Sequence, residues 1–195
     1  MTKKIVWTVV IAVLFVGVVV GAYFGYKKLS EKVQPQEENP TIQNKGNYKD
    51  FTVTDKDGKE VKLSDFIGKP IVVNFWASWC PPCKAELPHF DKLSKEYQGK
   101  VHFLMVNLSG ENKESVKNFV ESNGYTFPLY FDDTDSGKNA YSVSSIPVTV
   151  FITADGNIGS QRTGAMNEAT LRNYINQLLN QGEKKNGIGS KNKQL

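Results

Sequence analysis

At 195 residues and a formal charge of +4, the chain has room for one domain plus extensions. The basic surplus lies at the ends: six Lys/Arg against three Asp/Glu in residues 1–47, and four against one in residues 182–195. The middle is slightly acidic, so composition gives no sign of a basic face for nucleic acid. With two cysteines and two histidines in all, and no zinc-finger spacing, a four-ligand zinc site is not indicated.

Ile5 to Tyr26 is 22 residues without a charge, flanked by Lys3-Lys4 and Lys27-Lys28. It is long enough to cross a bilayer as a helix, and longer than the usual apolar core of a signal peptide. Val20-Gly21-Ala22 is a weak candidate cleavage site, so a cleaved leader is the competing reading. Residues 1–4 are expected in the cytoplasm, 5–26 as the anchor and 27–47, polar with Pro35 and Pro40, as a flexible tether. The domain would then lie outside the cytoplasm.

From residue 48 to 181 the pattern is that of an α/β domain. Phe51-Thr52-Val53 and Glu60 to Leu63, separated by Asp57-Gly58, predict a β-hairpin. Ser64 or Asp65 is a candidate cap for a short helical turn ending at Gly68. Ile71 to Trp76 is an apolar, β-branched and aromatic run, as in a buried strand. Cys80-Pro81-Pro82-Cys83 follows. Leu87, Phe90, Leu93 and Tyr97 then recur at helical spacing. The cysteine pair therefore belongs to a strand-to-helix turn, with Cys80 just before the helix and Cys83 in its first turn.

A helix N-terminus has unpaired N–H groups and a partial positive charge, which stabilise a thiolate. Cys80, at the exposed end, is expected to attack, and Cys83 to resolve the mixed disulfide. A purely structural disulfide would close too small a loop to add much stability.

Val101 to Leu108 reads as a second buried strand, parallel to the first through a right-handed crossover. Asn112 to Asn123 is a helical pattern with Val116, Phe119 and Val120 inward, and Gly124 after it. Leu129 to Phe131 is a short strand. Asp132 to Asp135 reads as helix capping before Ser136–Tyr141; it lacks the Gly and distal Glu of an EF-hand. Ser145 to Ile152 is a strand with Pro147 near its start, on the residues alone an ordinary trans proline. Asp155-Gly156 turns into Ile158–Thr163. Asn167 or Glu168 starts a last helix ending at Gly182, and 182–195 is expected to be disordered.

Trp76 to Pro88 resembles the active site of the thioredoxin superfamily. More narrowly, Trp79, Cys80, Pro82, Cys83, Glu86 and Pro88 resemble the motif of the membrane-anchored TlpA/ResA-like thiol–disulfide oxidoreductases. The resemblance covers about residues 48–180. It implies a thioredoxin-like fold with an N-terminal β-hairpin extension and a strand-and-helix insertion (112–141), preceded by one transmembrane helix. It implies a cis Pro147 against the cysteines, with the Ile146 backbone pairing with a bound peptide. It also implies a partly buried Glu86 exchanging a proton with Cys83, where a lone helix glutamate would otherwise read as solvated. Trp79 and Pro82 would contact partners, Trp79 from an exposed edge; Trp76 reads equally as core. Neither a cofactor nor a metal is expected.

Two classes of function fit these residues. One is an enzyme reducing disulfides in exported proteins, such as apocytochrome c or a surface methionine sulfoxide reductase. It would be a monomer re-reduced by a membrane electron donor. The alternative direction is disulfide formation in secreted proteins. The other class is a non-catalytic binding module on the same fold, which would have no need of the cysteine pair.

Overall fold

A computed structural model describes residues 46–191 except Ser109, together with Trp7, Phe15, residues 17–21 and Tyr23; side chains are described as far as Gln181. The chain divides into two compact units, Met1–Glu38 and Asn39–Leu195. In the first, the described residues are helical, and Phe15 and Val18 are exposed. Among the described residues no helix is long and apolar enough to cross a membrane. Most of the 5–26 run, the tether to residue 45 and residues 192–195 lie outside the described residues.

The second unit is built on one seven-stranded sheet. Its strands are β1 (Thr52–Asp55), β2 (Glu60–Lys62), β3 (Ile71–Trp76), β4 (His102–Leu108), β5 (Leu129–Asp132), β6 (Val148–Ile152) and β7 (Ile158–Thr163). Their spatial order is β2-β1-β5-β4-β3-β6-β7. β3, β4 and β5 run parallel, joined by α1 (Pro81–Glu96) and α2 (Lys113–Ser122), while β1, β2, β6 and β7 pair antiparallel. α3 (Ser136–Ala140) follows β5, and α4 (Glu168–Lys191) closes the fold.

All six residues of β3 are buried, as a strand covered on both faces requires. Alternation divides them. Val72 and Trp76 pack with Leu87, Phe90 and Leu93 of α1 and with Leu171, Ile175 and Leu178 of α4. Ile71, Val73 and Phe75 face the other way, toward Phe51, Leu104, Tyr141 and Val150. Gly137 of α3 fits against that second face because it has no side chain: a Cβ there would lie 2.9 Å from both Phe51 Cδ2 and Phe75 Cε1.

Two local expectations are narrowed and one changes. The helical turn Leu63–Phe66 is not capped by Ser64; Asp65 accepts from Lys62 N at 2.9 Å, and Asp50 accepts from Ser64 N at 3.0 Å. Asp135, at the start of α3, makes no side-chain cap and sits at φ 56°. The cap is the buried Asp132, whose two oxygens accept from Gly137 N at 3.2 Å and Lys138 N at 2.8 Å. The last helix starts at Glu168, with Asn167 Oδ1 accepting from Thr170 N at 2.8 Å, but it runs through Gly182 to Lys191. Gly182, Gly187 and Gly189 each cost the helix about 1 kcal/mol, and between them only Glu183, Lys184 and Lys185 are good helix formers.

Candidate active site

The β3–α1 turn forms because β3 ends at the buried Trp76 and two prolines open the helix. Pro81 and Pro82 supply no N–H, so few donors at this helix start need partners. Cys80 is the N-cap: its Sγ accepts from Cys83 N at 3.2 Å and its carbonyl from Lys84 N at 3.0 Å. Pro88, one turn further, removes another helical N–H inside α1.

Cys80 and Cys83 are joined as a disulfide, and neither is an open thiol: Cys80 is 3% exposed and Cys83 fully buried. The expectation of an exposed Cys80 is thus corrected. Its side chain belongs to the α1-side core, against which Ile146 also packs. The surface beside it is made by Trp79, 67% exposed, and by the exposed Pro81 and Pro82.

Ile146–Pro147 is a cis peptide, and the Ile146 carbonyl oxygen lies 3.9 Å from Cys80 Sγ. Ile146 is half-buried and Pro147 buried. The Pro147 carbonyl accepts from Gly164 N at 2.8 Å, which ties this loop to the end of β7.

Glu86 lies one turn beyond Cys83 on the same helix face and is fully buried. Asn74 Nδ2 donates to its Oε1 at 2.8 Å, and Met166 N donates to its Oε2 at 2.9 Å. Burial dominates over these two donors and lifts its pKa from 4.5 to about 7. A carboxyl half-protonated near neutrality can take a proton or give one.

Trp76 is fully buried, its ring 6.0 Å from Phe119 and 6.1 Å from Phe127. Sequence reading missed the polar groups that brace the turn. Glu111 accepts from Ser78 N at 2.8 Å, from Ser78 Oγ, and from Asn107 Nδ2 at 2.7 Å. That one side chain holds the stretch between Trp76 and Cys80 to the end of β4. Asn74 and Thr149 were also missed. The available signal was a polar residue inside each apolar strand run: Asn74 in β3, Asn107 in β4 and Thr149 in β6.

Residues 46–161 match the AhpC/TSA family. The thiol–disulfide oxidoreductase ResA of Bacillus subtilis is 38% identical over 134 residues, covering 68% of this chain and 74% of that one. ResA of Bacillus anthracis is 30% identical over 177 residues, 90% of this chain and 97% of its own. This chain belongs to the ResA-like thiol–disulfide oxidoreductases.

Solved structures agree with that membership. Etrx1, an exposed lipoprotein thioredoxin of Streptococcus pneumoniae, superimposes with a TM-score of 0.60 at 30% identity, covering 66% of this chain and 99% of its own. StoA of Bacillus subtilis gives 0.58 at 28% identity, over 65% and 96%. The matches show an elaborated thioredoxin-like α/β fold with extra strands and helices. The ResA-like domain is a thiol–disulfide redox enzyme whose redox-active pair is Cys80–Cys83.

Proposed function

We propose that the protein is a membrane-tethered reductase of disulfides in exported proteins, working outside the cytoplasm. The direction rests on the family resemblance, and the buried Glu86 one turn from Cys83 supports it by opposing the thiolate-stabilising pull of the helix N-terminus. A second negative charge there is disfavoured, which holds the dithiol away from a stable dithiolate and inclines it to give electrons up. The uncharged run 5–26 supports the tether. Apocytochrome c and a surface methionine sulfoxide reductase are the substrate types that the family resemblance favours.

In the reduced enzyme the Cys80 thiolate, at the helix N-terminus, attacks one sulfur of the substrate disulfide. The Cys80–substrate bond forms, the substrate disulfide breaks, and its other sulfur leaves as a thiolate. The Glu86 carboxylate takes the Cys83 proton, and Cys83 attacks Cys80 Sγ. The mixed disulfide breaks, the second substrate thiolate leaves, and the Cys80–Cys83 disulfide remains. Two electrons have passed to the substrate. A membrane electron donor restores the dithiol. The exposed Trp79 and Pro82 and the Ile146 backbone beside cis Pro147 would receive the substrate chain.

Two measurements test this. Cys83→Ala should accumulate mixed disulfides through Cys80, and Cys80→Ala should accumulate none. The reduction potential of the couple should lie toward about −270 mV and well below about −120 mV. A value at the oxidising end, with net disulfide formation in a reduced secreted substrate, would reverse the direction and leave the site residues in place.

A further inference from the structure

Asn74 is the only polar residue of β3, and it is fully buried. Alternation turns it to the side of Val72 and Trp76, toward α1. Its Nδ2 has two hydrogens and gives both: one to Glu86 Oε1 at 2.8 Å, the other to Thr149 Oγ1 at 3.0 Å. Its Oδ1 is buried and has no donor. Native interiors seldom leave a buried acceptor unpaired, because its lost hydration is not replaced.

The alternative orientation of the amide shows what this one achieves. A half-turn would bring Oδ1 to the Thr149 hydroxyl, which is able to donate. It would also set Oδ1 against Glu86 Oε1, and an ionised carboxylate has no hydrogen to give. The observed orientation leaves an acceptor orphaned and provides Glu86 with a donor. Among the described residues no charged group shifts Glu86; its two hydrogen-bond donors are neutral Asn74 from β3 and the Met166 amide from the segment before α4, and Cys83 lies one turn back on α1. Asn74 therefore supplies the one side-chain donor that favours the ionised form.

We propose that Asn74 is a positioning residue of the redox site: its amide, held in register by Thr149, fixes Glu86 and keeps it able to ionise inside the core. The role deepens the reading of Glu86 as the proton carrier for Cys83 and rests on it. A neutral amide suits the position because a second carboxylate there would compete with Glu86 for one proton.

The test observes Glu86 itself, through the 13C shift of its side-chain carboxyl in the oxidised full-length chain in detergent micelles. Asn74→Leu keeps the size and loses the donor; the Glu86 midpoint should rise by about one pH unit, a tenfold change in ionisation. Asn74→Asp should raise it further by adding a like charge. Thr149→Val removes the hydroxyl that aligns the amide and should give a smaller rise. If Asn74→Leu does not fold, Thr149→Val decides. An unmoved or lowered midpoint in the deciding variant overturns the proposal, since a merely structural asparagine would change stability and not this titration. Cys83 titration in Glu86→Gln separately decides whether Glu86 serves the thiol, so the two failures are distinguishable.

Discussion

The turn from β3 into α1 and the turn from β5 into α3 each deliver a buried strand to a helix N-terminus, and each has a fully buried carboxylate close by, Glu86 in one and Asp132 in the other. Burial pushes both carboxyls up. They differ in where the helix N–H groups point. At α3 the two oxygens of Asp132 accept the amides of Gly137 and Lys138, so the carboxylate is the cap. At α1 the cap is the sulfur of Cys80, and Glu86 is held instead by a side-chain amide and a distant backbone N–H. A cysteine at the cap leaves the positive end of the helix for a thiolate. It also leaves the buried carboxyl free to titrate one turn away. Similar local architecture thus gives a structural joint in one place and a redox centre in the other.

The largest effect expected from breaking this contrast is that of Glu86→Gln on stability as a function of pH. The folded-state pKa of Glu86 is raised from 4.5 to about 7. The sign follows: its protonated form favours the folded state in full below about 4.5, and that contribution is lost as pH rises through about 7. The loss is on the order of 3 kcal/mol. Urea midpoints of the oxidised parent should therefore fall relative to Glu86→Gln between pH 4 and pH 8 (order-of-magnitude bounds on the titration window). Parallel profiles would mean that the Glu86 carboxyl is not raised in the folded chain.

The second effect belongs to the other turn. Gly137→Ala puts a methyl 2.9 Å from the rings of Phe51 and Phe75, so one ring or the helix must shift. Overpacking of this kind costs about 2 kcal/mol. The urea midpoint should fall accordingly, while the folded variant reduces insulin at the parental rate. A slowed reaction in the folded variant would mean that the two turns are coupled through the sheet.

Much of this contrast was legible in the sequence, because periodicity and turn chemistry are local. Ile71–Trp76, the spacing of Leu87, Phe90 and Leu93, and the Asp57-Gly58 turn each follow from neighbouring residues. The parts that were not legible depend on contacts across the sheet. Asn74 meets Thr149, 75 positions away, and Ser78 meets Glu111, 33 away. Nothing near Ser78 signals that a carboxylate will reach it. Asp132 was read as part of an acidic capping run, yet which aspartate caps depends on the backbone path through Asp135 at φ 56°. Cys80 was expected at the surface because helix starts usually are; the side chain instead packs into the α1-side core.

The smallest effect sharpens the comparison with a third turn, from β4 into α2. There the cap is Asn112, exposed, whose Oδ1 accepts from Ser115 N at 3.0 Å. Replacing an Asn cap by Ala costs about 1 kcal/mol, and less where the helix end is free to fray into water. The adjacent residue is Glu111, which holds Ser78 two positions before Cys80. Fraying at Asn112 could therefore reach the redox turn through one side chain. Three donors hold the Glu111 carboxylate, one of them from the buried Asn107, so its position is anchored from β4 as well as from its own loop. Asn112→Ala should lower the urea midpoint slightly and leave the alkylation rate of reduced Cys80 unchanged. A faster alkylation rate at unchanged pH would show that the α2 cap, and not β4, holds the redox turn closed.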